Sequence, residues 1–114
     1  LAAAGLGLAH AMAQAVGGAY GIPHGAMNAL CLPPVLEYNR DFVPTAFGEA
    51  IGGDPVERTR ELAVLGGFDR LRDFGVPEAD LPALAQAASQ RGGSLANPRQ
   101  ATPAEVLELY RSIY

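Results

Sequence analysis

The sequence predicts an all-α domain built from about six or seven short helices in an orthogonal, non-parallel bundle. Three observations carry that expectation. Apolar residues recur at helical spacing, as at Leu81, Leu84, Ala85 and Ala88. Strand-type alternation is weak throughout. Gly or Pro closes each segment before it reaches the length that a parallel bundle needs. With 114 residues, 49% of them hydrophobic and 18% charged, the chain reads as one folded domain rather than a disordered segment.

Leu6 to Val16 reads as a buried helix with small residues on most faces, and Gly17-Gly18 is expected to stop it. Ala19 to Ile22 is a connector. Pro23 suits the first turn of the next helix, which puts His24 at that helix's mouth and carries the helix to about Leu32. Pro33-Pro34 is expected to bend or restart it before Val35 to Tyr38 lead to Asn39 as a cap. Pro44 to Ile51 forms a short helix ended by Gly52-Gly53. Asp54-Pro55-Val56-Glu57 is a start signal, because the Asp54 carboxylate can accept orphan N–H groups and Pro55 fills the first position. That helix runs to Leu65, with Leu62 and Leu65 on the side where the Arg58 stem lies along the core. Phe68 to Phe74 is a short helical turn closed by Gly75, and Leu81 to Gln90 is a helix ended by Gly92-Gly93. Thr102-Pro103-Ala104-Glu105 has the form of a capping box, and the last helix carries Val106, Leu109, Tyr110 and Ile113 on one stripe.

Composition excludes several function classes. A formal charge of −4 is the wrong sign for binding nucleic acid. All 8 basic residues are Arg, so a P-loop lysine and Schiff-base chemistry are out. The single Cys31 excludes an internal disulfide and a CxxC site, and reads as a small buried hydrophobe. Nothing points to an oxidising compartment, and the expected location is cytoplasmic. The apolar stretch before Glu37 is broken by Gly17-Gly18, Gly21, Pro23 and Pro33-Pro34, short of the ~18–20 residues of a membrane span. Ala11-Met12-Ala13 imitates a signal-peptidase site, yet no basic segment precedes it. The chain begins at Leu1 in what reads as the middle of a helix, so further residues are expected upstream. The arginines read as surface charge, Arg58 with Glu57 or Glu61 and Arg72 with Asp73 or Asp69, and carry no assigned chemistry.

Both histidines, His10 and His24, lie within the first 36 residues, where no side chain is charged. A segment of that kind is normally buried, so the two imidazoles are either satisfied core groups or ligands. His10 and Gln14 are four residues apart and share a helix face. The Gly-Gly pair and Pro23 can fold the chain back so that His24 faces His10. Two neutral imidazoles converging in an uncharged pocket suit Fe2+ or Zn2+. A catalytic metal usually takes three or four protein ligands, and no carboxylate precedes Glu37, so the rest would come from elsewhere. Spacing alone leaves both readings open.

The wider string is more specific. Gly7-Leu8-Ala9-His10-Ala11-Met12-Ala13-Gln14-Ala15-Val16-Gly17-Gly18-Ala19-Tyr20-Gly21-Ile22-Pro23-His24-Gly25 closely resembles the signature of iron-containing (group III) alcohol dehydrogenases. That signature is a His, a second His four residues on, glycine punctuation and then Pro-His-Gly. Leu32-Pro33-Pro34-Val35-Leu36-Glu37-Tyr38-Asn39, Leu71-Arg72-Asp73-Phe74-Gly75-Val76, and Asn97-Pro98-Arg99 followed by Thr102 and Glu105 resemble later segments of the family in the right order. The resemblance implies a dehydroquinate synthase-like C-terminal helical domain over residues 1–114, with the N-terminal nucleotide-binding domain outside this chain. It implies that His10 and His24 match two metal ligands, while an Asp and a further His belong to upstream segments. It implies hydride transfer between NAD or NADP and an alcohol or carbonyl substrate, with the metal as Lewis acid. Gly5-Leu6-Gly7 does not substitute for the nucleotide-binding turn, because His10 stands where that motif needs Gly.

One position departs from the family pattern. Gln14 stands where the family usually has its intermediate, proton-relaying His, and an amide hydrogen-bonds but does not titrate. It either contacts substrate or water as a catalytic-site group or is satisfied within the helix pair. Tyr20 and Asn28 are candidates for one wall of the substrate pocket, against a plainer reading as loop packing and a polar helix position.

Two alternatives accompany this reading. A maleylacetate reductase-type enzyme has similar His spacing, and there His10 and His24 would touch substrate directly. From another class, the chain as it stands is a non-catalytic helical interaction domain whose uncharged face, if exposed, would associate with itself or with its missing half. The intact enzyme is expected to be a homo-oligomer.

Overall fold

The computed structural model describes residues 6–42, 52–67, 70–97 and 99–114, and over these the chain is all-α. Six helices follow one another among the described residues: α1 (Leu6–Tyr20), α2 (His24–Tyr38), α3 (Pro55–Leu65), α4 (Leu81–Ser89), α5 (Gly92–Leu95) and α6 (Pro103–Ser112). Short 3-10 turns cover Arg40–Phe42, Leu71–Phe74 and Glu78–Asp80. The helix expected over Pro44 to Ile51 and the start of the turn at Phe68 lie outside the described residues.

The uncharged opening segment forms the centre of the domain. α1 packs along α2 and also meets α4 and α5; α2 in turn carries α3, and α4 carries α6. Leu8, Met12, Val16, Met27, Leu30, Cys31 and Val35 are buried together with Leu71, Leu81, Val106 and Tyr110. The larger apolar side chains at Leu8, Met12, Val16, Met27, Leu30 and Val35 therefore face inward. Burial pushes the Cys31 thiol up to about 12, which leaves it inert as a nucleophile. Tyr110 donates its hydroxyl to the Met12 carbonyl at 2.8 Å, which satisfies a buried phenol and ties α6 to α1.

Two helix starts follow the local signals. The Asp54 side chain accepts from the N–H groups of Val56 and Glu57 with Pro55 in the first turn. Thr102 and Glu105 form a reciprocal capping box, again with Pro in the first turn.

Four expectations are corrected. Gly17-Gly18 does not stop α1, which continues to Tyr20. The residue that ends it is Gly21, at φ 66°, whose N–H reaches the Gly17 carbonyl at 2.8 Å. A glycine closes a helix where it takes the left-handed conformation, and that position is Gly21 rather than the Gly-Gly pair. Pro33-Pro34 does not restart the second helix, which runs unbroken through both rings. They cost α2 two N–H donors, and both rings are buried in exchange. Gly92-Gly93 does not close α4 but opens the single turn of α5, since α4 already ends with Gln90 as its cap. Finally, α3 turns Val56 and Ala63 inward, while Leu62 and Leu65 are 48% and 79% exposed. Val56 and Ala63 are seven residues apart, two turns along one face, and that face meets α2. No helix among the described residues is long and apolar enough to cross a membrane.

Candidate metal and substrate site

The two histidines converge. His10 sits in α1 and His24 is the first residue of α2, on either side of the Gly21 turn. Pro23, with φ −53° and ψ 132°, holds the extended entry into α2 and sends the His24 ring back toward α1. His10 Nδ1 and His24 Nε2 are 3.2 Å apart, and the rings meet edge to face with centroids 4.7 Å apart at 82°. Both side chains are exposed. This pair is not a satisfied core arrangement: both rings open to solvent, while Leu8, Met12, Val16, Met27 and Leu30 of the same two helices are buried.

A nitrogen–nitrogen separation of 3.2 Å has two chemical meanings. It is the length of an N–H···N hydrogen bond, and it is close to the edge of a tetrahedral shell. With metal–nitrogen bonds of about 2.1 Å, two ligands at the tetrahedral angle lie about 3.4 Å apart. The donor set therefore fits a borderline divalent cation at half of its shell. Among the described residues no group of three or more His, Cys, Asp and Glu side chains comes together to complete one.

The surroundings are neutral and partly apolar. A recess of about 240 Å³ beside the pair is lined by Ala9, His10, Asn28 and Leu32. Asn28 follows His24 by one turn of α2, so its half-buried amide stands on the same face as the imidazole. Tyr20 is directed elsewhere. Its hydroxyl donates to the Asp80 carboxylate, and that bond holds the phenol up at about 12. Gln14, one turn beyond His10, is half-buried and accepts from Arg91 Nη1 at 3.4 Å. Sequence reasoning missed Arg91 at this site, because 77 positions separate it from Gln14 and no local motif marks it. Arg58 pairs with Glu61 at 3.3 Å as its helical spacing suggested.

The whole chain, residues 1–114, matches the C-terminal model of the Fe-containing alcohol dehydrogenase family, and it belongs to that family. It is 39% identical to lactaldehyde reductase of Escherichia coli K12, covering 96% of this chain and 33% of that protein. It is 37% identical to 1,3-propanediol dehydrogenase of Citrobacter freundii, covering 97% of this chain and 33% of that protein. Among solved structures it superposes on the iron-containing alcohol dehydrogenase of Thermococcus thioreducens with a TM-score of 0.77 at 28% identity, over 94% of this chain and 31% of that one. A 1,3-propanediol oxidoreductase structure gives a TM-score of 0.72 at 29% identity, over 94% of this chain and 32% of that one. The chain thus spans about a third of the length of the relatives it matches.

Proposed function

We propose that this domain supplies two ligands, His10 through Nδ1 and His24 through Nε2, to the metal of an NAD(P)-linked alcohol dehydrogenase acting on a small alcohol or aldehyde. The observation that carries this reading is the 3.2 Å approach of two exposed imidazole nitrogens across the Gly21 turn. Family membership supports a dehydrogenase reaction class, and the relatives named for lactaldehyde and propanediol support substrates of a few carbons.

When bound, an Fe2+ or Zn2+ ion supplies Lewis acidity that favours the alkoxide form of an alcohol. The rest is done by this chain's own groups. His10 and His24 present neutral lone pairs at one point, and Gly21 and Pro23 fix the second relative to the first. Asn28 offers an amide, and Ala9 and Leu32 a small apolar wall, to a substrate in the recess beside His10. Gln14 holds a hydrogen-bonding group one turn from His10 without changing charge, so it can orient a hydroxyl or a water but does not relay a proton. Two further ligands and the NAD or NADP site are assigned to an N-terminal nucleotide-binding domain outside these residues.

Metal analysis of the full-length enzyme tests the reading. About one ion per chain is expected in the wild type, with most of the metal and the activity lost in both His10→Ala and His24→Ala. An active enzyme without metal, or variants that keep it, would overturn the reading and leave the imidazoles as direct substrate contacts of the maleylacetate reductase kind.

A further inference from the structure

The arginine that reaches Gln14 is not accounted for by metal binding or by packing. Arg91 lies between α4 and α5, is exposed, and forms no ion pair among the described residues. Its one side-chain hydrogen bond among the described residues is the 3.4 Å contact from Nη1 to Gln14 Oε1. A guanidinium has five N–H donors, so four remain. Accepting through Oε1 also leaves the Gln14 amide N–H groups to donate. The first 36 residues bring no charge of their own to this side of the domain, so the Arg91 cation meets no acid from them.

The placement of Arg91 is set by the backbone. Gly93, two residues on, lies so close to Gly7 that a Cβ there would stand 2.2 Å from the Gly7 carbonyl oxygen. This crossing lays α5 against the first turn of α1, and the preceding Arg91 falls over the Gln14 turn. Gln14 is four residues from His10, a rise of about 6 Å along the helix. Through its contact with Gln14, a planar, charged fork of donors stands beside the helix face that carries His10 one turn away, and such a fork matches a carboxylate.

We propose that Arg91, oriented by Gln14, is a specificity-determining residue that selects alcohols and aldehydes bearing a carboxylate a few bonds from the reacting carbon. The proposal rests on the reading of His10 and His24 as the reacting centre.

The test compares succinic semialdehyde with butanal, a neutral aldehyde of the same length, in the full-length enzyme. The wild type should favour the carboxylated substrate in kcat/KM. Arg91→Ala should lower that preference about tenfold or more, the scale of a lost charge-assisted hydrogen bond, and Arg91→Lys should restore part of it. Calorimetric titration of the metal-free full-length protein with succinate reads the same contact without turnover, and Arg91→Ala should weaken it by a similar factor. An unchanged substrate ratio and unchanged succinate binding in Arg91→Ala would overturn the proposal. So would a wild type that favours butanal, or a variant in which both substrates and the metal content fall together. Metal content in His10→Ala tests the ligand assignment separately. Failure there with Arg91-dependent succinate binding intact would remove the metal reading and leave the carboxylate site.

Discussion

Gly93 and Gly7 cross backbone against backbone: a Cβ on Gly93 would lie 2.2 Å from the Gly7 carbonyl oxygen, and one on Gly7 would lie 2.8 Å from that of Gly93. The obstacle on either side is main chain, which cannot rotate away. Gly93→Ala should therefore force α5 off α1 and cost about 1–3 kcal/mol, as overpacking of a fitted contact does. Gly18 provides the control. It lies inside α1, and a Cβ there meets nothing within 4 Å. Gly18→Ala should gain about 0.5–1 kcal/mol from a less flexible unfolded chain and better helix propensity. Thermal unfolding of the two variants should give melting temperatures on opposite sides of the wild type, and shifts of the same sign would refute the assignment.

Asn39 and Asn97 exchange side-chain hydrogen bonds at 2.8 Å in each direction, and both are buried. Asn97 also donates to the Arg99 carbonyl at 2.5 Å, and Arg99 stacks 4.1 Å from the centre of the Tyr38 ring. This clamp fixes the segment before α6 to the end of α2. Asn97→Ala leaves the Asn39 amide buried without its partner, and Asn39→Ala leaves Asn97 Oδ1 buried without its donor, each at a cost of about 1–3 kcal/mol. The double variant removes both amides, so its cost should fall short of the sum. Urea unfolding of the four proteins measures the coupling, and strict additivity would mean that the pair acts as two independent groups.

The capping box at α6 should be visible in the pH dependence of stability. The Thr102 backbone N–H, donating to Glu105 at 3.0 Å, is the main cause holding that carboxyl below its usual 4.5. A carboxyl lowered in the folded state adds stability that is fully present above its ordinary value. That stability is lost as the pH falls through the lowered one. Glu105→Ala should therefore cost about 0.3–1 kcal/mol at pH 7, the range for an exposed acid at a helix start. At pH 3 the gap to the wild type should narrow. Denaturant midpoints at the two pH values decide it, and a constant gap would assign the loss to side-chain packing instead of charge.

Much of the fold was legible because the signals were local. Asp54 and Thr102 satisfy N–H groups two or three residues away, so their residue types are enough to start α3 and α6. The histidine site was legible as a motif, since both ligand candidates sit within 14 positions of each other around a Gly and Pro turn. What misled was glycine. Gly17 reads as a stop, yet it lies inside α1, where a Cβ would sit a tight 3.2 Å from the Ile22 carbonyl oxygen as the chain folds back. Apolar content in α3 was equally ambiguous, because Leu62 and Leu65 qualify for a core as well as Val56 and Ala63 do.

By itself the sequence determined that helices form, where two of them start, and that His10 and His24 flank a chain reversal. These follow from hydrogen bonds and turn geometry within a few residues of chain. The tertiary structure decided the face of α3 that is buried, the pairing of Asn39 with Asn97, and the arrival of Arg91 at Gln14. The two partnerships join residues 58 and 77 positions apart. They depend on how the helices stack, and stacking is set by backbone approaches such as Gly7 to Gly93, which no local residue pattern encodes.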